Sequence, residues 1–164
     1  MRRADRFPAA LALIGALVSD QAFKLWMLNG FDIAARGRVA LVPFLDLVMV
    51  WNEGISFGLF SQDSLAGALV LGAIKLGIVA FLAVWMWRAQ SRLAVISLAL
   101  MIGGALGNLV DRVLYGAVAD FFLFHVGQFE WYVFNLADVW IVVGFALIVY
   151  DGFASRHDPA TGAS

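Results

Sequence analysis

Eight ionisable or amide side chains stand where an apolar chain accommodates them least easily: Asp20, Lys24, Asn108, Asp111, Arg112, Asp120, Asn135 and Asp138. All lie in or beside long hydrophobic runs, and ionisable groups in such runs are functional candidates by default. The chemistry open to them is narrow. Two carboxylates brought together in a low-dielectric pocket share one proton. One then acts as base on a water and the other as acid towards a carbonyl. Asp111, Asp120 and Asp138 all fall towards one membrane face, and Asp120, on a connecting segment, can fold back towards Asp138 to make such a pair. The chain has no cysteine, which excludes thiol nucleophiles, disulfides and Cys-ligated metals. Two histidines, His125 and His157, are too few and too scattered for a His-based metal site, and no HExxH run occurs. A Ser–Lys dyad is thinkable, but Lys24 and Lys75 both fall within helical stretches, with no serine in an obvious nucleophile turn.

Each group also has a plainer reading. Asp20 and Lys24 are spaced i,i+4 with the acid first, the favoured orientation for a helical ion pair that neutralises itself, so a supporting role is expected. Asn108 and Asp111 share a helix face, and an Asp–Arg cluster at a membrane interface is usually structural. Gly103 and Gly107 form a GxxxG, a signal for close helix packing. Asn135 and Asp138 suit the N-cap and N3 positions of a helix start. These readings explain the residue types without catalysis. They leave unexplained why the same end of the molecule also holds Asp120.

The elements that must position these groups follow from composition. The 164 residues are 63% hydrophobic and 14% charged, with net charge −1 and mean hydropathy +0.88. A soluble domain of this length could not hide so much apolar surface, so the solvent for most of the chain is lipid. The charge balance gives no reason to expect nucleic acid as a partner. Four windows, about 8–28, 65–87, 93–110 and 133–150, meet the roughly 20 apolar residues a spanning helix needs. Although three arginines precede the first run, it is longer than a signal-peptide h-region and contains Asp20 and Lys24. It is expected to be retained.

Arg2, Arg3 and Arg6, then Arg88 and Arg92, then Arg156 place both termini on the cytoplasmic side; Arg36, Arg38 and Arg112 oppose this bias. Trp26, Trp85, Trp87, Trp131 and Tyr132 fall near expected helix ends, where interfacial aromatics belong. Residues 37–51 are rich in β-branched and aromatic types and interrupted by Pro43, which predicts strands on the outer surface. Residues 52–60, "NEGISFGLF", predict a turn dipping back to the membrane. The polar tail, 157–164, is expected to be disordered. The fold class is thus an all-α membrane protein of one domain, 1–156, with strands at about 37–60. With the third helix running outward and the fourth starting near Val133, Asp138 falls about five residues in, roughly 7 Å below the outer boundary. Asp120, on the connecting segment, can fold back towards it.

The stretches "SDQAFK" (19–24), "NEGISFG" (52–58), "GGALGNLVDR…GAVADF" (103–121) and "FNLADVWI" (134–141) resemble, in order and spacing, the lipoprotein signal peptidase (signal peptidase II) family. The resemblance covers almost the whole chain except the tail. It implies an aspartic endopeptidase of the bacterial inner membrane, with four helices, a small periplasmic β-cradle and an active site facing the periplasm. Its implied partner is a prolipoprotein, cut just before the lipid-modified cysteine of the lipobox, with membrane lipid around it and no metal or organic cofactor. By motif match the catalytic pair falls on Asp120 and Asp138. The supporting residues fall on Asp20, Lys24, Asn52, Gly54, Asn108, Asp111, Arg112 and Asn135. Ile55 and Ser56 stand where a pair of alanines is common in the family, and Val139 stands where a small hydroxyl residue usually follows the second acid. Lys75 matches no family role. The rival readings are a small proton-coupled transporter, since intramembrane acids also relay ions, and a structural subunit of a larger membrane complex.

Overall fold

The structure, a computed structural model, describes residues 2–54 and 65–154. The turn expected over 55–60, with Ile55 and Ser56, and the tail from 157 onwards lie outside the described residues. Helix α1 (Arg6–Leu25) follows a 3-10 turn at Arg3–Asp5 and runs on into a π turn at Trp26–Gly30. A short helix, α2 (Ile33–Arg36), leads to strands β1 (Val39–Val42) and β2 (Leu45–Asn52). Then come α3 (Leu65–Arg88), α4 (Arg92–Tyr115), β3 (Val118–Val126), β4 (Phe129–Phe134) and α5 (Leu136–Ala154).

Helix α4 is the axis, packed against α1, α3 and α5. Its glycines make this possible, since small residues let helix backbones approach closely. A Cβ on Gly103 would lie 2.5 Å from the Leu13 carbonyl oxygen and 2.8 Å from the Ala16 Cβ, both on α1. A Cβ on Gly104 would meet the Ala137 carbonyl of α5, and one on Gly107 the Asp20 carboxylate. On the partner side, a Cβ on Gly144 of α5 would fall 2.5 Å from the Ser97 carbonyl of α4. Successive glycines thus seat α4 on one neighbour and then the other.

Large apolar side chains point the other way. Phe7, Leu11, Ile14 and Val18 make an exposed stripe on α1, while Ala9, Ala16, Asp20 and Lys24 face the bundle. Small and charged groups inside with large apolar groups outside is the pattern for a helix solvated by lipid. Among the described residues, three helical stretches are long and apolar enough to cross a membrane: Arg3–Gly30, Arg92–Tyr115 and Leu136–Ala154. Helix α3, at 24 residues, occupies the second expected window.

One end of the bundle carries a four-stranded antiparallel sheet in the order β1-β2-β3-β4. Met27, Ile33, Leu47, Ala119 and Phe121 form a buried plug that seats it on the end of α1, and the Phe23 ring stacks on Phe122 at 5.4 Å. Strands had been expected over 37–60 alone, yet β3 and β4 supply half the sheet. For β3 the reason is burial. Val118 to Phe121 are buried without a break, and a strand covered on both faces loses the alternation that marks strands in a sequence. Helix α5 starts later than 133, because Val133 and Phe134 pair with Leu123 and Phe122 as part of β4. Asp138 is therefore the third residue of α5 rather than five residues deep. Helix α4 extends past 110, holding Asp111 and Arg112 within its last turns, and stops at Gly116, whose φ of +78° suits glycine.

The close contacts of α4 give a direct test. Gly103→Ala is expected to destabilise the protein by about 1–3 kcal/mol through overpacking, read as a lower unfolding midpoint in detergent. Gly15→Ala and Gly77→Ala, where a Cβ meets nothing within 4 Å, serve as controls and should unfold like the parent. Equal midpoints for all three variants would refute the packing account.

Candidate active site

Two polar layers lie between the bundle and the sheet. The deeper is built on Lys24, 3% exposed, which α1 carries one turn after Asp20. Its ammonium lies 2.9 Å from an Asp20 oxygen and 2.8 Å from an Asp111 oxygen, and donates a 3.1 Å hydrogen bond to Asn108 Oδ1. The two acids are themselves bound further. Asp20 accepts from the Ala137 backbone N–H at the start of α5 (2.8 Å), and Asp111 from the Ala119 N–H of β3 (3.1 Å). Gln21 completes the layer, donating to Asp111 (3.0 Å), the Gly107 carbonyl (3.0 Å) and Asp20 (3.2 Å). Buried charges persist when each is paired and hydrogen-bonded. Here one ammonium meets two carboxylates, and the carboxylates reach out to hold α5 and β3.

The upper layer is carried by three asparagines. Asn108 Oδ1 accepts from both Lys24 and Asn135 Nδ2 (2.9 Å), so its NH₂ group must point the other way, where it donates to Asp138 Oδ1 at 2.9 Å. Asn135 caps α5: its Oδ1 accepts from the Asp138 N–H (3.1 Å), while Asp138 Oδ2 accepts from the Asn135 N–H (3.2 Å). This reciprocal pair is a capping box. It leaves the Asn135 NH₂ free to donate to Asp120 Oδ1 at 2.6 Å. Asn52 repeats the logic from the sheet side. Its Oδ1 accepts from the Gly54 N–H (2.9 Å), which turns its NH₂ onto Asp120 Oδ2 at 3.0 Å. Gly54 holds φ at +102° to make that turn. Arg112 fastens the same segment by donating to the Glu53 carbonyl at 3.1 Å.

Asp120 and Asp138 are therefore one residue apart in the network, since Asn135 bonds to both, and both line one cavity of about 290 Å³. A second cavity of about 380 Å³ opens on the sheet side and shares Asn52, Asp120 and Tyr132 with the first. Asp120 sits on β3, 2% exposed. Burial, reinforced by the nearby negative charge of Asp138, pushes its pKa up to about 6 against the pull of its hydrogen bonds from Asn52 and Asn135. A proton is thus held at this site to a higher pH than on a free aspartate, up to about pH 6. Among the described residues, no three His, Asp or Glu side chains are grouped to hold a metal ion.

All ten residues singled out from the sequence converge on these two layers. The sequence reading missed Gln21, which stood within a quoted motif but has no charge to draw attention. It also missed the backbone amides of Ala119 and Ala137, which no sequence pattern marks as partners of Asp111 and Asp20.

The chain is similar to known proteins in sequence and in fold. Residues 12–154 match the family model described as signal peptidase (SPase) II. The lipoprotein signal peptidase of Nitrobacter hamburgensis is 56% identical over 147 residues, 87% of this chain and 90% of that one. That of Beijerinckia indica is 50% identical over 152 residues, 93% and 91% of the two chains. A bacterial membrane enzyme solved by the in meso method at 2.3 Å superposes with a TM-score of 0.75 at 23% identity, covering 95% of this chain and 93% of the other. A second, solved at 1.9 Å, gives 0.73 at 25% identity, with 92% and 93% covered.

The deeper layer can be tested alone. Lys24→Met strands two buried carboxylates and is expected to cost about 3–5 kcal/mol of stability, measured by chemical unfolding in micelles. A loss below about 1 kcal/mol would show that these acids do not depend on the ammonium.

Proposed function

This chain belongs to the signal peptidase II family, and on that premise we propose that it is a membrane aspartic endopeptidase that removes the signal peptide from diacylglyceryl-modified prolipoproteins, cutting before the lipidated cysteine. The observation that carries the reading is Asn135 joining Asp120 to Asp138 at the wall of a cavity that is otherwise largely apolar. Such a wall suits a substrate already embedded in lipid. The proton-coupled carrier is set aside by the family match.

The membrane arrangement is part of the same proposal. With α3 counted as a fourth span, Arg6, Arg88 and Arg92 gather at the end remote from the sheet, where the Arg6 guanidinium lies 5.5 Å from the centre of the Trp87 ring. That basic end reads as cytoplasmic, which puts the sheet and the acids at the periplasmic face of the inner membrane. The arginines that oppose the bias have local partners. Arg38 bonds Asp46 and Glu130, Arg36 donates to the Phe31 carbonyl, and Arg112 belongs to the site.

In the proposed reaction Asp120 carries the shared proton, and Asp138, in the first turn of α5, is the base. Asp138 takes a proton from water as its oxygen attacks the scissile carbonyl carbon, while Asp120 gives its proton to the carbonyl oxygen. The gem-diol then collapses. A hydroxyl proton returns to Asp120, the proton on Asp138 passes to the departing amine nitrogen, and the C–N bond breaks. Both acids end in their starting states.

Incubation with a lipidated prolipoprotein and an unlipidated control tests the assignment, the first alone being cleaved. Asp120→Asn and Asp138→Asn are each expected to lower the rate by at least about 10³-fold while leaving the unfolding midpoint near that of the parent. Full activity in either variant removes the pair from the mechanism.

The rate should follow a bell-shaped pH profile, because the reaction needs one acid protonated and the other ionised. The active form needs Asp120 protonated, so kcat/KM, which reports the free enzyme, is expected to fall as pH rises through about 6. The corresponding limb of kcat lies higher, because bound substrate buries Asp120 further. A profile flat from pH 4 to 9 would contradict this.

A further inference from the structure

Lys75 stands on α3 amid apolar residues and takes no part in either polar layer. Among the described residues it has neither a hydrogen-bond acceptor nor an ionic partner, although it lines the same cavity as Asp120 and Asp138. The other cations facing the site are engaged: Lys24 by two carboxylates, Arg112 by the Glu53 carbonyl.

Its depth follows from the helix hairpin. Lys75 comes thirteen residues before Arg88, and Ala105 thirteen after Arg92, so the two stand level on antiparallel helices. Ala105 lines the cavity beside it, as do Ile78 and Val79. Lys75 is thus rooted about one turn deeper than Asn108, which holds Asp138. Helical side chains tilt towards the helix N-terminus, and that of α3 lies at the sheet end. The side chain is therefore directed towards the end of the cavity that holds the acids.

Resting on the peptidase reading above, we infer that Lys75 binds the C-terminal end of the substrate's signal helix. That helix rises from the cytoplasmic side and stops at the scissile bond. Its last four carbonyls have no intrahelical partner, and its C-terminal pole is negative. Both features arrive at the level of Lys75. After cleavage the same end bears a new carboxylate, a stronger ligand for a cation in a poorly solvated cavity. Lys75 is thus a substrate-positioning and product-binding residue, distinct from the proton-transferring pair.

The test uses the full-length protein in detergent, with lipidated prolipoprotein and two synthetic signal peptides as competitors, one ending in a carboxylate and one in an amide. The parent is expected to bind the carboxylate peptide about tenfold more tightly than the amide. Lys75→Met should abolish that discrimination and raise KM about fivefold, with the larger part of the kcat/KM loss in KM. Lys75→Arg should restore both. The competition in the parent needs no variant, so misfolding of Lys75→Met would not protect the idea. Equal affinity of the parent for the two peptides overturns the inference. A KM rise in Lys75→Met with discrimination intact overturns it as well, and would place the lysine against the lipid esters. If the parent cleaves no prolipoprotein, the peptidase reading falls and takes this inference with it; cleavage without discrimination sinks only the role of Lys75.

Discussion

A lysine ammonium with almost no access to solvent is the constraint on which this molecule is built. A charge buried among apolar helices persists only where opposing charges and hydrogen bonds surround it. Lys24 draws Asp20 from its own helix, Asp111 from α4 and the Asn108 amide into one contact set. The two acids then reach the backbone of α5 and of β3. Three helices and the central part of the sheet are thereby located by one cation. Gly107 is part of this arrangement, since a side chain there would occupy the space of the Asp20 carboxylate.

The upper layer inherits its orientation from the lower. An asparagine amide is ambiguous until its neighbours decide which end accepts. Lys24 fixes Asn108, Asn108 and the α5 cap fix Asn135, and the Gly54 amide fixes Asn52. Each ends with its NH₂ group on an aspartate of the pair. Four N–H bonds favour ionised carboxylates while burial opposes ionisation. At Asp120 burial is the stronger effect, and its proton is retained up to about pH 6. The site is polar enough to hold two acids and dry enough to raise the pKa of Asp120.

The bundle around it obeys the same economy of space. Where the helices meet, glycine and alanine bring backbones together. Where they face away, phenylalanine, leucine and valine meet lipid. The sheet caps the end where the acids lie, so the two cavities flanking Asp120 have unlike walls, helical and apolar on one side, strand-built and aromatic on the other. A peptide bond between a membrane-embedded segment and a segment outside it would meet both.

Much of this was legible in the residues themselves. The hydrophobic windows, the Asp20–Lys24 spacing, the cap at Asn135 and the glycine faces are local patterns, and local patterns survive in a one-dimensional string. The sequence by itself determined that lipid is the solvent and that Asp120 and Asp138 belong towards one end of the bundle. It also determined that the groups around them are amides and charges of complementary type. Tertiary structure alone decided that β3 is a strand, because burial on both faces erases the alternation that would reveal it. It alone joined Gln21 to Asp111 and the Ala137 amide to Asp20, partners far apart along the chain. It alone turned three asparagines so that donors meet carboxylates. Those outcomes depend on which atoms lie within 3 Å of one another, and a contact across ninety residues leaves no spacing to read.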